Sequence, residues 1–446
     1  MVPVWVARGR GHRFRSRIAW CAWIGIALPN SPQGAQPGTL GRIGVRRLPS
    51  SLSVEALKWV WHDSRDGAPS TAGAPGVDGV SAMAFSSSLA DHVANIRSSI
   101  RSDTYRFSPL RSARVLKASG GHRIIAIPTV RDRLLQRALL RHLEADPRFV
   151  ATSEVSYGFT KGRTLADAQR RALFLREQRP WMLQADIIRF FDRIERPLMK
   201  ALVRRRVSRK LIADLMSAAI DCELETAGEG ADGSETAIQP GRGLRQGMPI
   251  SPVLSNLLLK KFDDALAVRG FSAIRYADDI AIFGESEREC LDGLDFVRQN
   301  LARLSLDLPD LAVDGKTTLR NPSESAVFLG VEIAPFGKGA YQLRAPTKKL
   351  NDIEAAMSNI ASLEKCTKQK KNLTQVARSL DSFVVGHAAS MMVLEDGGEF
   401  RSRIEILKQR QLRRLLEELI GKNAVKKLSD IQLAFLGSGL IARRAR

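Results

Sequence analysis

The sequence predicts an α+β fold, with strands gathered into hairpins and a last hundred residues that turn helical. Three observations carry this. Arg114-Val115-Leu116-Lys117 and Arg123-Ile124-Ile125-Ala126-Ile127 flank Ala118-Ser119-Gly120-Gly121, the pattern of a β-hairpin with a glycine turn. Ala273 to Phe283 has the character of two short strands joined at Asp278-Asp279, and Trp181 to Ile187 reads as another strand. Between and after them, apolar residues fall at helical spacing, and beyond Pro346 the chain is basic helical pattern without strand signals.

Each helix has its own signals. Val54, Leu57, Lys58 and Trp61 sketch a short amphipathic helix after Ser53. Ala74 to Val80 is turn chemistry, and a helical stretch leads from it to Tyr105. Leu134, Leu135, Ala138, Leu139 and Leu143 predict a buried helix that Pro147 stops. Thr164 with Asp167 marks the start of a helix over Leu165 to Gln178, ended by Pro180. Pro197 opens another, and Ser251-Pro252 is expected to act as N-cap and first residue of a helix through Leu266.

Length and composition bound the function. At 446 residues with 44% hydrophobic content, the chain is globular and calls for two or three structural regions. Lys plus Arg minus Asp plus Glu is 69 minus 47, or +22, which points to a polyanionic partner. Residues 1–50 hold eight arginines and no acid, and read as a basic, disordered arm. Cys21, Cys222, Cys290 and Cys366 form no CxxC or Cys/His cluster, which argues against a zinc module or disulfide framework and fits a reducing cytoplasm. No apolar run approaches the roughly 18 residues a membrane-spanning helix needs, so no membrane partner is expected.

The chemistry lies in three aspartates. Leu183-Gln184-Ala185-Asp186-Ile187 puts one at the end of an apolar strand, and Ile274 to Ile282 puts Asp278 and Asp279 in a turn between strand residues. Carboxylates gathered at one point suit magnesium, which wants hard oxygen ligands. Clustered acids repel one another unless cations sit between them. The order along the chain is basic hairpin, Asp186 strand, glycine-rich loop Gly243 to Pro252, paired aspartates, Lys316, then Phe328-Leu329-Gly330.

That ordered set resembles the sequence blocks of reverse transcriptases and is closest to the bacterial group II-intron-like lineage. The matching segments are Ala74-Pro75-Gly76-Val77-Asp78-Gly79, Ile127 to Arg133, Ser156-Tyr157-Gly158-Phe159, Phe190-Phe191-Asp192, Gln246-Gly247 with Ser251-Pro252, and Tyr276-Ala277-Asp278-Asp279. The resemblance covers roughly Val54 to Ile333. It implies a right-hand polymerase: fingers and palm over 51–345, with an antiparallel sheet carrying the catalytic aspartates, and a helical basic thumb over 346–446. The implied activity is RNA-directed DNA synthesis with two Mg²⁺ ions, Mn²⁺ being able to substitute.

Residue by residue, the resemblance implies that Asp186 and Asp278 bind both metals, with Asp279 more weakly engaged and the carbonyl of Ile187 a further ligand. Arg123 would clamp the triphosphate with help from Lys117. Phe191 would exclude a ribose 2′-hydroxyl, one ring of the Phe190-Phe191 pair packing while the other gates. Gln246 would lie over the incoming nucleotide, and Lys316 would give a proton to pyrophosphate. Tyr276, Leu329 and Gly330 would support primer and template. The implied partners are an RNA template, a dedicated non-coding RNA among the candidates, a DNA primer or product, and dNTPs. An oligomer is left open.

No His/Cys-rich nuclease module follows the thumb, and the Asn-Ala-x-x-His and Val-Thr-Gly signatures of retron enzymes are absent. The expectation is therefore a free-standing bacterial enzyme, and Leu306 to Leu311 ahead of Lys316 resembles phage-defence members. An intron maturase and a protein-primed or untemplated DNA synthesiser are the alternatives.

Overall fold

The computed structural model describes residues 47–64, 66, 73–116, 122–225, 239, 241–313, 315–337, 339–346, 348–394 and 397–436. Most of the basic arm and Lys117 lie outside them. Packing reaches back before residue 51, because Pro49 is buried and Leu48 packs against the main core ahead of the 3₁₀ turn Ser50–Leu52.

Among the described residues, nine strands form three antiparallel sheets. β1 (Arg111–Leu116) and β2 (His122–Ile127) make the basic hairpin, with Arg111 opposite Ile127. β3 (Trp181–Asp186), β4 (Ser272–Tyr276), β5 (Asp279–Gly284) and β6 (Thr318–Arg320) form the central sheet in the order β4-β5-β3-β6. β7 (Ala326–Phe328), β8 (Val331–Phe336) and β9 (Ala340–Arg344) form a third sheet that sequence patterning had not shown. Its strands are short, and its first turn places Leu329 at φ +52 and Gly330 at φ +82.

The central sheet is buried on both faces, which explains its nearly continuous apolar strands. Side chains alternate across the pleat. Met182, Ile274, Ala281 and Phe283 share one core with Ala172 and Leu175 of the helix Leu165–Gln178 and with Phe328, Ile333 and Tyr341 of the third sheet. Leu183, Ala185, Ile280 and Ile282 belong to the main core, with Leu257 and Leu258 of the helix Ser251–Val268 and Leu294 and Val297 of the helix Glu287–Ala302.

Local signals account for most helix starts. Thr164 and Asp167 form the expected capping box, each side chain satisfying the other residue's backbone N–H. The buried helix runs Val130–Glu144, capped by Thr129. Ser251 corrects the expectation made of it. It is the first helical residue, not the cap, and its hydroxyl donates instead to the Arg245 carbonyl at 2.9 Å. A hydroxyl facing the preceding loop finds that carbonyl before it finds the helix N–H groups.

After Pro346, the helices Lys349–Ile360, Leu373–Ser390 and Gly397–Ile420 pack around a second core of Ile353, Met357, Leu380, Val384, Ile404, Leu412 and others. Val331 of β8 joins that core, so the third sheet links palm and thumb. The architecture is the fingers, palm and thumb of a right-hand polymerase. No helix among the described residues is long and apolar enough to cross a membrane.

Candidate catalytic site

The sheet register brings the aspartates together. β3 ends at Asp186 and β5 begins at Asp279, and the two residues pair directly across the strands. Opposed Cα atoms in an antiparallel ladder lie about 4.5–5.5 Å apart. Carboxyl groups 92 positions distant in the chain, 278 minus 186, thus meet at one end of the palm sheet. Asp278 sits in the two-residue turn between β4 and β5, after Ala277 at φ +65. Few residues other than glycine adopt that φ.

The electrostatics are those of crowded acids. Burial first, then the charges on Asp279 and Asp186, push the Asp278 carboxyl well above its ordinary range, and a hydrogen bond to the Asp186 carboxyl adds to the effect. Its Oδ1 atom is buried without a hydrogen-bond partner among the described residues. Burial and the Asp186 charge push Asp279 up to about 7, with Lys316 opposing them. The Lys316 ammonium pairs with Asp186 Oδ2.

That pairing qualifies the sequence expectation. Among the described residues no group of three or more His, Cys, Asp or Glu side chains is arranged as a ready cage for a metal ion. One carboxylate of the three turns to a lysine, the nearest available positive charge, which relieves like-charge repulsion. The residues nonetheless fit a divalent cation. An orphaned carboxylate oxygen and two acids whose proton affinity is raised by burial and by neighbouring carboxylates are the groups such an ion would satisfy.

Several of the other expected residues are tied to strands and loops by backbone hydrogen bonds. Ile187 is buried, and the next amide donates to the Asp307 carbonyl at 3.0 Å, so Leu306-Asp307-Leu308 props the end of β3. Arg123 lies on β2 opposite Val115, with no ion-pair partner among the described residues. The Gln246 carbonyl accepts from Ala126 N–H at 2.7 Å. Gly247, at φ +111, passes so close that a Cβ would lie 2.3 Å from the Ala126 oxygen. The loop therefore locks onto the strand that bears Arg123.

Phe190 and Phe191 are both buried, at 2% and 5% exposure, with ring centroids 5.5 Å apart. Of the two, Phe191 retains slightly more surface, and its carbonyl accepts from Leu244 N–H at 2.9 Å, tying it to the glycine-rich loop. Tyr276 closes β4. Leu329-Gly330 forms the β7–β8 turn, where the Leu329 carbonyl accepts from Gln169 at 2.9 Å. Gln184, two residues before Asp186, donates to the Val327 carbonyl at 2.8 Å and so moors β7 beside β3.

Sequence reasoning missed what lies behind the turn. Arg275 and Asp263 form an ion pair with no exposed surface on either side chain. The only hint was an arginine inside an apolar strand.

Residues 115–333 match the family described as reverse transcriptase, RNA-dependent DNA polymerase. That stretch is similar to reverse-transcriptase domains, and its relatives include intron-encoded and retron proteins. Protein YkfC of Escherichia coli K12 is 32% identical over 204 residues, 44% of this chain and 51% of that protein. A 91 kDa protein in the cob intron of Schizosaccharomyces pombe is 30% identical over 176 residues, 39% of this chain and 21% of that protein. The retron Ec83 reverse transcriptase of E. coli is 26% identical over 184 residues, 40% of this chain and 53% of that protein. The match thus spans about half the length of the two bacterial relatives and about a fifth of the fungal one.

Proposed function

We propose that this chain is an RNA-directed DNA polymerase that extends a primer with dNTPs by two-metal-ion nucleotidyl transfer. The observation that carries the reading is the direct pairing of Asp186 with Asp279, beside Asp278, within a reverse-transcriptase domain. Two Mg²⁺ ions, or Mn²⁺ in their place, supply neutralisation of charge on the attacking and leaving oxygens. Asp186 and Asp278 hold them, with the Ile187 carbonyl as a further ligand and Asp279 as the weaker third carboxylate.

The remaining residues bind and orient. Arg123 and Lys117 grip the triphosphate, and Gln246 covers the nucleotide. The edge of Phe191 excludes a 2′-hydroxyl. Lys316 gives its Nζ proton to the departing pyrophosphate oxygen. Tyr276, Leu329 and Gly330 steady the primer end. Residues 51–345 act as fingers and palm, and the basic helices of 346–446 follow the hybrid duplex by its shape and backbone.

The test is primer extension. The protein should extend a DNA primer on an RNA template with Mg²⁺ and dNTPs, and Asp278→Ala should not. Product attached to the protein without template would favour protein priming, and intron folding that survives Asp279→Ala would favour a maturase. At a finer level we infer a cytoplasmic enzyme of phage defence acting on a dedicated RNA, supported by the resemblance of Leu306 to Leu311 to such enzymes. Host protection from phage that Asp278→Ala leaves intact would remove that role.

A further inference from the structure

The catalytic turn is held from behind by a network that the metal chemistry does not itself require. Arg275 lies on β4, three residues before Asp278. Its Nε and Nη2 donate to the two carboxylate oxygens of Asp263, on the helix Ser251–Val268, at 2.7 and 2.6 Å. Nη2 also donates to Ser156 Oγ at 2.7 Å and Asn256 Oδ1 at 3.0 Å. Nη1 donates to the Ala277 carbonyl at 3.2 Å. Asn256 in turn donates to the Gly158 carbonyl at 3.1 Å.

The backbone repeats the connection. Arg275 N–H donates to the Val155 carbonyl at 2.7 Å, and Tyr157 N–H donates to the Arg275 carbonyl at 2.8 Å. Gly158 approaches the turn so closely that a Cβ there would stand 2.5 Å from the Ala277 nitrogen.

Stability alone does not explain this arrangement. Burying two charges costs enough that an apolar pair of similar volume often serves the fold as well or better. An apolar pair cannot donate to the Ala277 carbonyl. That carbonyl belongs to the peptide unit whose nitrogen is that of Asp278, so its orientation sets where the aspartate side chain starts. The turn also needs support, because Ala277 sits at φ +65, a conformation that strains a non-glycine residue. A guanidinium presents five donors in a fixed plane, and a lysine ammonium cannot span the same acceptors.

We propose that Arg275 is a positioning residue which, held by Asp263, Ser156 and Asn256, fixes the Ala277 peptide and thereby aims the Asp278 carboxylate at Asp186. The inference rests on the polymerase reading, in that the aimed carboxylate is a metal ligand. Gly158 belongs to the same device, its missing side chain letting the Ser156 to Phe159 loop bear directly on the turn.

The test measures Mn²⁺ binding by electron paramagnetic resonance on the full chain without nucleotides, with folding followed by circular dichroism. The unaltered protein should bind Mn²⁺ at a site lost in Asp278→Asn. Arg275→Lys, folded, should bind it about 10- to 100-fold more weakly, the range for residues that orient metal ligands. Gly158→Ala should weaken binding in the same direction without touching any charge. If Arg275→Lys does not fold, Gly158→Ala decides alone. Folded variants with unaltered Mn²⁺ affinity overturn the inference and leave the polymerase reading standing. Absence of any Asp278-dependent site in the unaltered protein overturns both.

Discussion

The two sides of the β4–β5 turn are opposites in electrostatic design. In front, Asp186, Asp278 and Asp279 crowd like charges together and leave one buried oxygen without a partner. Behind, Arg275 and Asp263 balance charge for charge, and Arg275 is bonded on several sides. A fold spends stability in the first arrangement and orders it with the second. The difference locates function: like charges held together against their repulsion need something from outside the chain, and the satisfied pair does not.

Substitutions at each side should therefore fail in different ways. Asp278→Ala should take primer extension below detection while raising the melting temperature of the metal-free protein, since it removes a buried, repelled carboxyl. A loss of stability there would break the comparison. Asp263→Ala should do the reverse to the fold, destabilising it by about 3–5 kcal/mol in urea titration, because Arg275 is left buried and unpaired. Replacing both together, Arg275→Met with Asp263→Leu, should recover much of that stability but not metal affinity.

Lys316→Gln should leave the fold intact and slow single-turnover incorporation by about a hundredfold, as expected for a lost proton donor. A smaller effect is expected from pH. Asp279 has a folded pKa of about 7 against an ordinary 3.8. Between those values the folded chain holds more protons than the unfolded one, so metal-free stability should fall as pH rises from about 4 to about 7. Asp279→Asn should flatten that decline in thermal melts, and an unchanged slope would mean the front cluster is less strained than its geometry implies.

The same contrast explains what the sequence made legible. Short-range signals were readable: the Thr164 and Asp167 capping box, the apolar period of Val130–Glu144, and the strand ends that carry Asp186 and Asp279. They are encoded by neighbours three or four positions apart or by alternation along one strand. Arg275 and Asp263 are separated by 12 positions, one on a strand and one on a helix, and no periodic pattern announces a pair across two elements. Ser251 misled for a related reason, since the loop carbonyl that claims its hydroxyl is placed by Gly247 pressing on β2. The β7–β9 sheet escaped notice because the β7–β8 turn takes Leu329 and Gly330 to positive φ and β7 is only three residues long. Lys316 could be nominated from its motif, but its contact with Asp186 depends on β6 pairing with β3.

The most direct measurement is anomalous scattering from crystals grown with Mn²⁺. A peak bridging Asp186 and Asp278 at about 2.0–2.2 Å from their oxygens, with Lys316 drawn away from Asp186, is the result this account requires. Ordered Mn²⁺ elsewhere in the molecule, with Lys316 still paired to Asp186 and the turn free of metal, would contradict it.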